Sequence, residues 1–227
     1  MNRHDLEFLR RIPLFLELDD NALIILAGLI YTRRYRRNMF VFTEGEPGEA
    51  VFLVRSGRVK ITKTSTDGRE QILHVMGPGD VFGEAVLFDG GPYPATAEVI
   101  QCGEIAFLRN SDLEDAVRAN PELAIRLIRL LNRRLKTAQN RIRDLALKDT
   151  FTRTASLLTQ LAEANGLVPE AGVEVEVDLS RQDLGAMIGT SRETVTRALS
   201  ELKRMKVIDL TPNGFVILDP KRLTSLT

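Results

Sequence analysis

Arg192, Glu193 and Arg197 have the types and the spacing to read the edges of DNA bases. Arginine donates two parallel hydrogen bonds to guanine O6 and N7, and glutamate accepts from cytosine N4. Each good contact is worth about 1–3 kcal/mol of discrimination against a wrong base. A helix begun at Ser191 puts Arg192 and Glu193 in its first turn, with Arg197, four residues after Glu193, on the same face. Ser180, Thr190, Ser191, Thr194 and Thr196 are small hydroxyls suited to phosphate oxygens, and an exposed helix N-terminus favours an anion. The competing reading is an ordinary amphipathic helix with a solvated Glu–Arg pair. How the surrounding sequence would hold these residues decides between the two.

That surrounding stretch, Leu179–Lys206, reads as two short helices joined by a tight turn. Ser180, with Asp183 three residues later, has the pattern of a capping box, and Leu184, Met187 and Ile188 follow as an apolar-periodic run. Gly189 interrupts where a helix would end in a left-handed residue. Ser191 then caps a second helix whose buried stripe is Val195, Ala198, Leu199 and Leu202. Gly185 suits a close crossing of the two helices. Caps, turn glycine and spacing together are those of a helix-turn-helix, and double-stranded DNA is the expected partner.

The chain has 227 residues, enough for two domains with cores of their own. Its 31 basic and 31 acidic side chains cancel, so any footprint for DNA must be local. It is local: from Arg192 to Lys206, Arg192, Arg197, Lys203, Arg204 and Lys206 outnumber Glu193 and Glu201. The single cysteine, Cys102, excludes a disulfide framework within the chain and a cysteine-ligated iron–sulfur cluster held by one chain. No apolar run reaches the length of a membrane span and no signal-peptide core opens the sequence, so a cytoplasmic protein with no membrane partner is expected.

Residues 3–30 read as short helices, with Asp19 and Asp20 capping a run that ends near Ile30. From Tyr31 the period changes to two. Met39–Phe42, Ala50–Val54, Arg58–Lys63, Gln71–Met76, Ala95–Val99 and Glu104–Leu108 are predicted strands, separated by Gly- and Pro-rich turns. Short strands at this spacing imply a jelly-roll barrel able to enclose a small ligand. A helix follows over Asn110–Pro121, with Ser111 or Asp112 as its cap.

A long helix then runs from about Pro121 to Leu147, roughly 40 Å. Ala124, Ile128, Leu131, Leu135, Ala138, Ile142 and Leu145 recur along it as a sustained heptad seam. Arg126, Arg133, Arg134, Lys136, Arg141 and Arg143 flank the seam as the solvated outside of a parallel two-chain coiled coil. Lys148-Asp149-Thr150 reads as a hinge, Phe151–Ala164 as a helix ending at Asn165-Gly166, and Val173–Leu179 as a strand. After the helix-turn-helix, Val207–Leu210 and Phe215–Leu218 form a β-hairpin, and Asp219-Pro220 caps a last helix. A helix-turn-helix followed by a hairpin is a winged helix. The fold class is α+β.

Several strings carry a family resemblance: Glu44-Gly45-Glu46, Phe52-Leu53-Val54, Ser56-Gly57-Arg58-Val59, Gly79-Asp80-Val81-Phe82-Gly83-Glu84, the long helix, and Ser191-Arg192-Glu193-Thr194-Val195-Thr196-Arg197. With them the chain resembles the cyclic-AMP receptor protein/FNR family of bacterial transcription regulators over essentially its whole length. The resemblance implies a double-stranded β-helix (jelly-roll, cyclic-nucleotide-binding-like) effector-sensing barrel over 1–120, a dimerisation helix over 121–148 and a winged-helix DNA-binding domain over 149–227. It also implies a homodimer that reads a TGTGA-like palindrome through Arg192, Glu193 and Arg197, with half-sites about 34 Å apart. RNA polymerase is the implied protein partner. A shift around Lys148–Phe151 would re-aim the recognition helices when an effector binds one arrangement better than the other.

At the effector site the pattern breaks. In cyclic-nucleotide-binding members, the Gly-Glu matching Gly83-Glu84 is followed by an Arg-Ser or Arg-Thr pair that holds the cyclic phosphate. Here those positions fall on Tyr93 and Pro94, so the guanidinium is missing and Pro94 has no N–H to donate. The family's adenine-reading positions on the long helix fall near Ala138 and Gln139. The candidate pocket is therefore Gly83, Glu84, Ala85, Tyr93, Pro94, Ala95, Ala138 and Gln139, and cyclic AMP is not the expected effector. Gly83 and Glu84 are expected to serve the fold, the glycine in a tight turn and the glutamate in an internal hydrogen bond.

Phe82-Gly83-Glu84-Ala85 and Ala95-Thr96-Ala97 are similar to Dnr-type regulators, which respond to nitric oxide through haem, so a haem cofactor is one alternative. His74, in a predicted strand, and Cys102 read as ordinary structural residues. An effector-independent DNA binder, with Tyr93 and other side chains filling the pocket, is a second alternative. An enzyme on the same barrel, such as a metal-dependent oxygenase, would need a His/carboxylate ligand set. His4 and His74 stand apart without that spacing, and no metal site is expected. The effector's identity stays open.

Overall fold

The computed structural model describes residues 3–16, 18–88, 90–164, 170–177 and 179–227. The expected helix end at Asn165-Gly166 lies outside them, as do Asp89 and Asp178 of the expected turn and strand. The chain divides into two compact units, Met1–Lys136 and Thr137–Thr227.

In the first unit, helices α1 (Arg3–Leu9) and α2 (Asp20–Leu29) come first. Asp19 caps α2 as expected, its carboxylate accepting from the Ala22 N–H at 2.7 Å. The strands are β1 (Tyr31–Tyr35), β2 (Phe40–Phe42), β3 (Ala50–Val54), β4 (Arg58–Thr64), β5 (Glu70–Met76), β6 (Val81–Phe82), β7 (Thr96–Gln101) and β8 (Gly103–Arg109). They form two four-stranded antiparallel sheets, ordered β1-β8-β3-β6 and β2-β7-β4-β5.

The period of two sorts the first sheet's side chains between two cores. Phe52, Val54, Phe82 and Ile105 join Phe42, Tyr93, Ala97 and Val99 inside the barrel. Val51, Leu53, Val81, Ala106 and Leu108 face the other way, against the helices. The barrel is the jelly roll expected, with two strands that periodicity missed. β1 buries only Tyr35 of its five residues, and β6 is two residues long.

Helices α3 (Asn110–Ala119) and α4 (Pro121–Leu147) follow. The start of α3 departs from expectation. It begins at Asn110, after Arg109, with no side-chain cap from Ser111 or Asp112. The Asn110 amide instead donates to the Gly48 carbonyl at 2.9 Å. α4 has the expected bounds. Leu123 and Leu127 are buried in the helix-side core with Leu130 packed beside them, whereas Ile128, Leu131, Leu135, Ala138, Ile142 and Leu145 are exposed.

The second unit holds the last part of α4, then α5 (Thr150–Ala164), β9 (Glu174–Glu176), α6 (Arg181–Ile188), α7 (Arg192–Arg204), β10 (Ile208–Thr211), β11 (Gly214–Ile217) and α8 (Pro220–Ser225). Its sheet runs β10-β11-β9, and Leu158, Val175, Val195, Leu199, Leu202 and Phe215 share one core. This is the winged helix expected. Between α4 and α5 lie only Lys148 and Asp149. Asp149 caps α5 by accepting from the Thr152 N–H at 2.8 Å, and Arg153 donates to the Lys148 carbonyl at 3.0 Å. The Lys148 ammonium stands 3.3 Å from Asp144 and donates to the Ser156 hydroxyl at 3.1 Å. Among the described residues, no helix is long and apolar enough to cross a membrane.

Candidate DNA interface and effector corner

The start of α6 is a full capping box. The Ser180 hydroxyl oxygen accepts from the Asp183 N–H at 3.1 Å, and the Asp183 carboxylate accepts from the Ser180 N–H at 2.9 Å and its hydroxyl at 2.6 Å. Both Ser180 donors thus go to Asp183. Gly189 ends α6 in the left-handed region, φ 68°. At Gly185 a Cβ would come within 2.9 Å of the Thr190 carbonyl, so the close approach is to the turn entering α7 rather than between two helix bodies.

Ser191 caps α7, accepting from the Thr194 N–H at 3.2 Å, and Arg192, Glu193 and Arg197 are all exposed. The Arg197 guanidinium donates to the Thr194 hydroxyl oxygen at 3.3 Å. Glu193's own backbone N–H and the Ser191 hydroxyl, followed by Arg192 and Arg197, hold its carboxyl below the usual glutamate range. It is therefore an ionised acceptor. Thr196 differs from the expectation: its hydroxyl donates back to the Arg192 carbonyl at 2.7 Å. Beyond α7 the Val207 N–H reaches the Leu202 carbonyl at 3.1 Å and the Lys206 N–H the Lys203 carbonyl at 2.9 Å. That is a Schellman ending, with Lys206 held at φ 56°.

In the barrel, Gly83 turns the chain at φ 79°, where a Cβ would press on the Phe52 ring at 3.2 Å. Glu84 is buried and bonded to Arg134 of α4, whose second nitrogen donates to the Val81 carbonyl. The glutamate thus makes the internal bond expected. Its partner corrects the sequence reading, which set Arg134 on the solvated outside of a coiled coil. Among the described residues, Glu84 Oε2 is buried with no hydrogen-bond partner.

Tyr93 is buried, its hydroxyl donating to the Ala50 carbonyl at 2.9 Å and accepting from the Ala50 N–H at 3.1 Å. Burial raises the phenol's pKa. The ring stacks on Phe42, centroids 3.8 Å apart, with Phe52 and Phe82 next in the cluster. Ala95 lines the same core, whereas Ala85 and Pro94 are exposed. Ala138 and Gln139 are exposed on the part of α4 that belongs to the second unit. His74 is half-buried in β5, and the exposed Cys102 sulfur accepts from the Arg37 N–H at 3.3 Å. Among the described residues, no cluster of three or more His, Cys, Asp or Glu is placed to hold a metal.

A jelly-roll barrel, a long helix and a winged helix-turn-helix with Arg192, Glu193 and Arg197 exposed define a class, the two-domain DNA-binding regulators. Residues 32–120 match the cyclic nucleotide-binding domain and residues 152–226 the Crp-like helix-turn-helix domain. The chain is 34% identical over 217 residues to the CRP-like cAMP-activated global transcriptional regulator of Mycobacterium tuberculosis, covering 96% of this chain and 97% of that protein. Against the cyclic AMP receptor protein of Thermus thermophilus it is 33% identical over 200 residues, covering 88% and 89%. Among solved structures, FixK2 from Bradyrhizobium japonicum shares the fold with a TM-score of 0.77 at 30% identity, over 87% of this chain and 96% of that one. The chain belongs to the CRP/FNR family of transcription regulators.

Proposed function

We propose that the chain works as a homodimer that reads a TGTGA-like palindrome. Arg192 and Arg197 donate to guanines, Glu193 accepts from a cytosine, and Thr190, Ser191 and Thr194 line the phosphate backbone. Ser180 contributes by fixing the start of α6. The observation that carries the reading is the exposure of Arg192, Glu193 and Arg197 together on a helix capped at Ser191, with Glu193 held ionised. The exposed seam of α4 supports pairing with a second copy, which sets the half-sites about 34 Å apart. In this reading 1–120 is the sensing barrel, 121–148 the dimerisation helix and 149–227 the DNA-binding domain. The protein acts in the cytoplasm, where RNA polymerase is its further partner.

A small-molecule effector or haem is what such a barrel would otherwise answer to. A specific observation favours DNA binding without one: Tyr93, Phe42, Phe52 and Phe82 occupy the barrel interior as a contiguous aromatic cluster. The test is fluorescence anisotropy on a palindromic TGTGA…TCACA duplex, first with ligand-free protein and then with cyclic AMP. Tight, specific binding that cyclic AMP leaves unchanged is the expected result. Binding that begins only on adding cyclic AMP would overturn the effector-independent form.

A further inference from the structure

The second unit has a cleft of about 230 Å³ between α5, the start of α6 and the β10–β11 wing. Leu158, Leu161, Leu184 and Phe215 line its floor, and all four belong to the core of the unit. The rim is tied together where the Val177 N–H donates to the Asn213 carbonyl at 2.7 Å. Floor and rim thus come from elements that pack as one body.

Two polar groups at this apolar cleft lack side-chain partners among the described residues. Arg181, the first residue of α6, lines the cleft half-buried and is the one charged side chain among the described lining residues. Burial pushes its pKa below the ordinary arginine value, with no carboxylate among the described residues acting against it. The guanidinium keeps its charge at neutral pH all the same. Asp183, on the same turn of α6, is committed to the Ser180 N–H and hydroxyl. The second group is the Thr211 hydroxyl oxygen, buried with no hydrogen-bond partner among the described residues. A buried hydroxyl without a partner is costly, and so is a half-buried cation without a counter-ion. An anion in the cleft would offset both costs.

We propose that this cleft is a binding site for a small monocarboxylate with a single-ring apolar body. The ring lies on Leu158, Leu161, Leu184 and Phe215, and the carboxylate is held by the Arg181 guanidinium and the Thr211 hydroxyl. The size fits: an apolar cavity of about 150 Å³ takes a benzene ring, and the volume beyond that suits a carboxylate. The planar fork of arginine matches a carboxylate at two points. Walls from α6 and the wing make an occupant a brace between them, so binding stabilises the unit. The helix-turn-helix unit thereby has a ligand site of its own, whatever fills the barrel.

The full chain is titrated with phenylacetate, with phenylacetamide as the neutral ring and acetate as the ringless anion. Binding is followed by the amide resonances of Arg181, Leu184 and Thr211 in NMR spectra, and stability by thermal melts. Phenylacetate should shift these resonances saturably and raise the melting temperature of the second unit. Phenylacetamide and acetate should each bind about tenfold more weakly. Arg181→Met should weaken phenylacetate binding about tenfold. Thr211→Val should weaken it about threefold yet melt at or above wild type, because the oxygen it deletes has no partner. Phenylacetate that leaves the three resonances unmoved overturns the proposal. So does phenylacetamide binding as tightly as phenylacetate, or a folded Arg181→Met with wild-type affinity. If Arg181→Met does not fold, Arg181→Lys keeps the charge and loses the fork, and wild-type affinity in that variant overturns the two-point contact. A Thr211→Val that melts below wild type, or binds as wild type does, overturns the part given to the hydroxyl.

Discussion

The Tyr93 hydroxyl closes on both backbone groups of Ala50, donating to the carbonyl at 2.9 Å and accepting from the N–H at 3.1 Å. It joins the segment entering β7 to the first residue of β3. Tyr93→Phe keeps the ring on Phe42 and withdraws one partner from each of two buried polar groups. The first unit should lose about 1–3 kcal/mol. Urea unfolding followed by a probe in that unit measures it, and an unchanged midpoint would mean that the tie carries no weight.

Arg197→Ala should weaken binding to the palindrome by about 1–3 kcal/mol and relax specificity at one guanine. Anisotropy on a set of duplexes substituted at single positions separates the two effects. Equal weakening on every duplex would place Arg197 on phosphate instead of a base.

Leu135→Glu sets a charge in the exposed seam without disturbing a residue that the fold buries. Sedimentation should find monomers, with the melting of the barrel little changed. A dimer as tight as wild type would move the pairing surface elsewhere.

Lys206 occupies the left-handed position of the α7 ending, where a side chain costs energy that glycine avoids. Lys206→Gly should therefore stabilise the second unit by about 1 kcal/mol. Thermal melts should show a higher midpoint. A lower one would assign the lysine side chain a stabilising contact of its own.

Asp149 caps α5, and the Thr152 N–H and hydroxyl hold its carboxyl below the usual aspartate range. Asp149→Ala should cost about 1 kcal/mol at neutral pH. A depressed carboxyl contributes stability that is complete above the ordinary aspartate pKa and is lost as pH falls through the lowered value. Wild type and variant should thus converge in acid. A gap that persists at low pH would give the cap a cause other than charge.

The DNA-facing unit was legible in the sequence because its signals are local. Ser180 with Asp183, Gly189 and Ser191 lie within a dozen residues, and each did what its type allows. The barrel strands with clear alternation were legible too. β1 was not, because four of its five residues are exposed and its place depends on pairing with β8, where Arg34 meets Glu104 at 2.8 Å. Arg134 left a readable trace, a charge at the fourth place of an apolar stripe. Its partner Glu84 lies 50 residues earlier, a distance that periodicity cannot bridge. That Tyr93-Pro94 offers neither a guanidinium nor a Pro94 N–H was visible from residue types alone. That the phenol would seal Ala50 depends on how the barrel closes.

One unbroken helix, Pro121–Leu147, carries both the stripe that packs on the barrel and the seam that leaves it. Its residue count is therefore a dimension with a direction attached. Deleting one residue after Lys136 would swing Ala138, Ile142 and Leu145 by about 100° away from Leu131 and Leu135 and draw them back about 1.5 Å. Inserting seven would lengthen the rod by about 10 Å and return the seam to within about 20° of its line. Single-residue insertions and deletions should be barred from this helix, while substitutions accumulate freely on its remaining faces.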